Sequence, residues 1–346
     1  MEQYFSFIKK SLNNDVQNIE LVSNSSNVVF KVKTEKYGTV YAKFYLNKSS
    51  HIDHEMNLYG LMDNSYLKEM ICSSDNPKFA IFKELRGLTI DELSEQQLQN
   101  NKDKIIDSLI YFYETVGKNK AEGYGLLDQN MKGTSNNFKE FIYKRQMDTQ
   151  SILKDYPILN SAFSKIYDKY NNLITPDNCL VPIDTNAKNI MVTEKSEVKF
   201  IDPGELISAP KLMGYGDFVA HTYKTELYET LMSKLKLNKD DEKRLRIYAV
   251  FSSLNVLAFL KKLGVNDLKD VVPYGNSHSF YELINEHLNS LDIEPINKSN
   301  PDDMELWDGA GNSGDGAKKF RPRNFFAPSP EFFCSVPRIS INFLVG

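Results

Sequence analysis

The chain has 346 residues, 41% hydrophobic and 25% charged, and its 42 Lys and Arg against 46 Asp and Glu leave a net charge of −4. That length is ample for two lobes with sizeable cores, and so balanced a charge sets up no field for gathering polyanions, which excludes a general nucleic-acid binder. No run approaches the apolar length of a membrane span, and Cys72, Cys179 and Cys334 are too few and too scattered for a disulfide framework or a paired metal site. A cytoplasmic protein with reduced thiols and no membrane partner is expected.

Asn27 to Thr34 and Thr39 to Leu46 alternate or run apolar, and Tyr37-Gly38 between them suits a hairpin turn. A helix is predicted over His51 to Asn64, where Ile52, Leu58, Leu61 and Met62 keep helical spacing, followed by a strand over Lys78 to Leu85. Residues 1–86 thus form a small α+β lobe of antiparallel strands and one helix. From Leu93 the pattern turns to long amphipathic helices, around Leu98 to Val116, Asn137 to Leu153 and Ile158 to Leu173. Short strands at Cys179 to Val181, Asn189 to Thr193 and Val198 to Ile201 interrupt them. Further helices are predicted over Asp217 to Lys236, Lys239 to Leu263 and Ser279 to Leu291. Residues 87–295 make the second, mainly helical lobe.

Residues 296–346 differ in texture, with Gly309, Gly311, Gly314, Gly316, Pro322, Pro328, Pro330 and Pro337, and neither helical nor strand periodicity survives. The Phe325-Phe326 and Phe332-Phe333 pairs set this tail apart from a purely solvated one.

The chemistry concentrates in Val181-Pro-Ile-Asp-Thr-Asn-Ala-Lys-Asn-Ile-Met-Val192 and Val198-Lys-Phe-Ile-Asp-Pro203. Phosphoryl transfer needs one carboxylate to orient the attacking hydroxyl and take its proton, and an amide oxygen with a second carboxylate to hold the Mg²⁺ that bridges the phosphates. Asp184, Asn189 and Asp202 are of those types, in that order. Taken singly, Asp184 equally suits a turn residue capping backbone amides, and Asp217 the N-cap of a helix beginning after Gly216. His51, His54 and Glu55 lack the HExxH order and a third ligand, so zinc is not expected.

At these residues the chain resembles the aminoglycoside phosphotransferase and choline kinase-like superfamily, the small-molecule branch of the protein-kinase-like fold, over roughly residues 15 to 290. The resemblance implies an α+β bilobal fold. It implies that Lys43 in VYAKFY binds nucleotide phosphates and that Glu55 in HIDHEMNLYGLM pairs with it. In FAIFKELRGLTIDEL the backbone near Lys83, Glu84 and Leu85 would meet the purine edge, and IDPGELISAPKLMGYGDFVAH is similar to the metal turn followed by a supporting Asp, here Asp217. The co-substrate would be ATP or GTP with Mg²⁺, and the acceptor a hydroxyl of a small molecule. A cationic acceptor would use acids such as Glu205, Asp217 or Glu226, and Lys188 stands beside Asn189 within reach of phosphate.

Two departures stand out. Pro182 occupies the position two before Asp184 where the family usually has His, and the loop Val22-Ser-Asn-Ser-Ser-Asn27 has no glycine, which leaves Ser25, Ser26 and backbone amides as phosphate donors. They motivate the alternative of a catalytically silent, kinase-like binding protein.

Overall fold

The computed structural model describes residues 1–24, 27–46, 51–128, 130–173, 177–202 and 204–294; Ser25, Ser26 and residues 296–346 lie outside the described residues. In chain order the first part runs α1 (Glu2–Ser11), β1 (Asn18–Asn24), β2 (Asn27–Thr34), β3 (Gly38–Tyr45), α2 (His51–Leu61), β4 (Met70–Asp75) and β5 (Lys78–Lys83). Its five strands form one antiparallel sheet in the order β1-β2-β3-β5-β4. Alternation along NVVFKVKT puts Val28, Phe30 and Val32 on one face. There they pack with Val40, Ala42, Phe44, Phe79 and Ile81.

The structure adds a helix to the one expected in this lobe: α1 lays Ile8 and Leu12 into the same core. The helix foreseen from sequence, α2, packs elsewhere. Its Leu58 and Met62, with Leu67 just beyond it, belong to the large core of the second lobe, so α2 is seated on the lower lobe while one turn of it reaches the sheet.

After β5 the chain continues through β6 (Gly87–Thr89), α3 (Glu95–Val116), β7 (Tyr124–Leu127), β8 (Gly133–Ser135), α4 (Phe138–Ile152) and α5 (Pro157–Tyr170). Next come β9 (Cys179–Pro182), β10 (Ile190–Thr193), β11 (Val198–Phe200) and β12 (Leu206–Ala209). The last helices are α6 (Lys211–Thr222), α7 (Glu226–Leu235), α8 (Lys239–Lys262) and α9 (Phe280–Ser290). Polar side chains set several starts, as in the capping box of Ser94 with Gln97 and the Asn137 cap of α4. No helix among the described residues is long and apolar enough to cross a membrane.

One expected element is corrected. The single helix predicted over Asp217 to Lys236 is two helices, α6 and α7, separated at Lys224, whose φ is 64°, and restarted by the Thr225 cap. Moreover α6 begins six residues before Asp217. Gly216, after which the sequence places the helix start, and Gly214 both lie inside it because it passes so close to its neighbours: a Cβ on Gly214 would stand 2.4 Å from Tyr113 and one on Gly216 2.5 Å from Tyr248. Tertiary packing here overrides helix propensity.

Two small sheets position the loops between β9 and α6. Strand β10 is paired on one side with β11 and on the other with β6, and β12 lies between β7 and β9.

Candidate active site

Lys43 lies near the end of β3, opposite Val29 on one side and Ala80 on the other, so its backbone is held in the middle of the sheet. Its Nζ is 3.2 Å from Glu55 Oε2 on α2 and 3.4 Å from Asp202 Oδ1 after β11. Glu55 also accepts from the Tyr45 hydroxyl, and its Oε1 is 3.6 Å from Lys68 Nζ. Burial by itself raises the Glu55 pKa, but Lys43, Lys68 and the hydrogen bonds of Tyr45 and Lys43 outweigh it and hold the group at about 2. For Asp202 burial prevails over Lys43, and its pKa is raised. Two lysines and two acids therefore balance in charge at the junction of the lobes.

The second half of the site is the loop between β9 and β10. Asp184 has a φ of 74°, a backbone conformation that Asp tolerates better than most residues. Its amide donates to Asp217 Oδ2 at 2.8 Å, and the next amide, of Thr185, donates to the same oxygen at 3.3 Å. The other oxygen of Asp217 accepts from Ser252 Oγ at 2.5 Å. Asp217 is thus no helix cap: it is buried in the middle of α6, with its carboxylate on the loop backbone. Asn186 Nδ2 donates to Asp184 Oδ1 at 2.5 Å, and Asn189 Nδ2 to the Asp184 carbonyl at 2.8 Å. Thr185 shares a 2.5 Å hydrogen bond with Tyr113, whose hydroxyl also reaches the Gly214 carbonyl. Pro182 needs no side-chain partner in this arrangement; it closes β9 opposite Leu206, and the ladder continues as Ile183 N–H donates to the Glu205 carbonyl at 3.0 Å.

Register brings the oxygen donors together. The amide of Ile201 donates to the Asn189 carbonyl at 2.9 Å, so Asp202 follows directly on the residue opposite Asn189. A carboxylate and an amide oxygen are hard donors of the kind that suits Mg²⁺, so Asn189 and Asp202 are the residues that would hold such a cation. Past Asp202 the chain turns at Gly204, where φ is 71° and a Cβ would stand 1.9 Å from the Ile183 carbonyl oxygen. Only glycine lets the two loops lie this close.

The remaining expected residues fall differently. At the hinge, Lys83 N–H donates to Glu69 O and Glu84 N–H to Thr39 O. Both N–H groups are therefore engaged by the sheet, so a purine edge at this hinge would meet the carbonyls of these residues or the backbone of Leu85. The Lys83 side chain pairs with Glu69 and that of Glu84 with Lys31. Lys188 Nζ sits 3.9 Å over the Tyr274 ring. Glu205 is buried, and burial raises its pKa to about 8 against the opposing field of Arg145. Glu226 starts α7 and pairs with Lys102. Asp217 is committed to the loop backbone, and both it and Glu205 act electrostatically on Arg145. Ser25 and Ser26 lie outside the described residues.

Sequence reasoning missed Tyr45, Lys68, Tyr113 and Ser252. Tyr45 carried a readable signal, since it stands two residues after Lys43 on the same strand face. The other three arrive from distant elements with no local pattern.

No protein-family model matches the chain, and no curated protein does. Solved structures match it in fold. A thermostable mutant of aminoglycoside phosphotransferase APH(4)-Ia, in a ternary complex with AMP-PNP and hygromycin B, is 13% identical with a TM-score of 0.61, covering 75% of this chain and 91% of that one. Choline kinase LicA from Streptococcus pneumoniae is 14% identical with a TM-score of 0.56, covering 83% and 99%. LicA in complex with AMP is 13% identical with a TM-score of 0.54, covering 83% and 97%. At such identities the likeness is one of fold: the chain has the bilobal α+β, protein-kinase-like fold seen in these small-molecule kinases.

Proposed function

We propose that the chain is a phosphotransferase that moves the γ-phosphate of ATP or GTP to a hydroxyl of a small molecule, either an antibiotic such as an aminoglycoside or a sugar or amino-alcohol metabolite. The observation that carries this reading is the meeting of two constellations. Lys43 bonds both Glu55 and Asp202 across the lobes, and the loop bearing Asp184 is braced by Asp217 and Asn189.

Each residue then has a task. Lys43, held by Glu55, offers its ammonium to the nucleotide's phosphates. Asn189 and Asp202 would hold Mg²⁺, which when bound neutralises phosphate charge. Asp184 orients the acceptor hydroxyl and takes its proton as the new oxygen–phosphorus bond forms and the bond to the nucleoside diphosphate breaks. Asn186, on Asp184 Oδ1, fixes the direction in which that carboxylate faces. The hinge backbone at Lys83, Glu84 and Leu85 would meet the purine. A small acceptor is favoured because the chain lacks the HRD, DFG and APE elements of protein kinases. The solved structures of like fold, one holding AMP-PNP with hygromycin B and another a choline kinase, support the same class.

The test is transfer of labelled γ-phosphate from ATP and GTP, with Mg²⁺, into a pooled panel of aminoglycosides, sugars, nucleosides and amino alcohols. Label entering one compound with the wild type and not with Asp184→Asn establishes the reading and names the acceptor. Pro182 in place of His favours a second reading, a silent kinase-like binding protein. Nucleotide binding with no transfer to any compound is the result that reading expects, and no nucleotide binding at all would overturn the catalytic assignment.

A further inference from the structure

Glu55 is almost wholly buried, with 4% of its side chain exposed, and it faces two ammonium groups: Lys43 on one oxygen and Lys68 on the other. Lys68 has no place in the motif that located the other residues, yet its position is closely determined. Its carbonyl accepts from the Tyr59 hydroxyl at 2.9 Å, one helical turn beyond Glu55 on α2. Its Nζ sits 4.2 Å over the Phe82 ring. The residue before it, Leu67, bridges to Phe200, two residues ahead of Asp202. With 16% of its side chain exposed, Lys68 is a partly buried cation tied to α2, to β5 and to the strand leading to Asp202.

Lys43 has three claims on one ammonium once phosphates are present: Glu55, Asp202 and the nucleotide. If it were the only cation at Glu55, drawing it toward phosphate would weaken the compensation of a buried carboxylate, a costly state. The Lys68–Glu55 pair is neutral by itself, so this cost does not arise. We propose that Lys68 is a positioning residue: it is the standing counter-ion of Glu55, keeping that carboxylate charged and in place while Lys43 is shared with the nucleotide. This assignment rests on the kinase reading for its nucleotide half only.

The experiment has two arms. In the first, without nucleotide, Lys43→Met, Lys68→Met and the double variant are unfolded in urea at neutral pH. The expected result is strong non-additivity: each single variant keeps one ammonium on Glu55, the double variant keeps none, and its midpoint falls well below the sum of the single shifts. Should the double variant fail to fold, adding Glu55→Gln restores a cooperative transition, because a neutral amide needs no counter-ion. Additive shifts, or no rescue by Glu55→Gln, overturn the proposal.

In the second arm, Mg-ATP binding is measured by calorimetry. Lys68→Met weakens it about tenfold, which is 1.4 kcal/mol, and Lys68→Arg returns it to within about threefold of the wild type, a rescue that a purely packing role would not give to the bulkier fork. Equal affinity in wild type and Lys68→Met overturns the proposal. A wild type that binds no nucleotide overturns the kinase reading instead, and the urea arm then decides the role of Lys68 by itself.

Discussion

Asp217 Oδ2 receives the backbone N–H of Asp184 at 2.8 Å, so the residue proposed as the base is held through its main chain by a carboxylate 33 positions further along. Because Ser252 occupies the other oxygen of Asp217, that carboxylate is fixed at both ends. Asp217→Asn keeps one acceptor and turns an NH₂ toward either Ser252 or the loop amides. We expect it to cost about 1–3 kcal/mol in stability and to lower kcat by roughly 100-fold through loop displacement, with KM for the nucleotide little changed. Steady-state kinetics beside urea denaturation checks this; an unchanged kcat would remove Asp217 from the positioning of the loop.

Gly204 is the tightest approach between the two loops. Gly204→Ala places a methyl 1.9 Å from the Ile183 carbonyl oxygen in a left-handed backbone conformation, whose penalty alone is about 1 kcal/mol. A backbone oxygen cannot step aside cheaply, so the loop must shift as well. The expected outcome is a fall of several degrees in Tm and loss of transfer activity. A variant with wild-type Tm would show that the turn relaxes without cost.

The buried acids titrate in opposite senses. Burial raises Glu205 from 4.5 to about 8, so between those values the folded state binds more protons than the unfolded one. Stability therefore falls as pH rises through that window, by something on the order of 4 kcal/mol between its ends. Glu55 is held down at about 2, so its contribution is complete above about pH 4.5 and is lost as pH falls toward 2. Urea denaturation at pH 5 and pH 8.5 should show Glu205→Gln gaining stability over the wild type at the higher pH only. An equal effect at both would mean that Glu205 keeps its ordinary acidity.

Mg²⁺ dependence follows from the donor pair of Asn189 and Asp202. Nucleotide that binds the folded state alone raises Tm, and on this reading ATP with Mg²⁺ raises it more than ATP with a chelator. Asp202→Asn should abolish that difference while leaving the metal-free shift in place. Thermal shift assays with and without Mg²⁺ measure it, and a persisting Mg²⁺ effect in the variant would place the cation elsewhere.

How much of this was legible depends on how local each feature is. Asp184, Asn189 and Asp202 stand within one short stretch, so spacing alone put them on a loop and an adjoining hairpin. The strand and the helix that carry Lys43 and Glu55 show clear periodicity, but the two residues themselves stand out only through the family resemblance. What failed was whatever depends on distant packing. The helix start expected after Gly216 is misplaced because Gly214 and Gly216 lie inside α6, where Tyr113 and Tyr248 leave no room for a side chain. Lys68 sits outside any periodic element, and only the fold brings it to Glu55. That the N–H groups of Lys83 and Glu84 are held by β3 and by the segment before β4 has no local signal either.

The pairing of β10 with both β6 and β11 joins the stretch after the hinge to the turn that carries Asp202. Gly87, two residues past Leu85, stands opposite Thr193, and Ile190 stands opposite Phe200. On the proposed reading, the seat for a base and the seat for a cation would thereby be marked off on one paired strand. Were the upper sheet to swing, that span would stay constant, and the quantity to vary would be the reach of Lys43 to Asp202. Paired labels on the two lobes would read that one coordinate, and its change on adding nucleotide would gauge how far the lobes close.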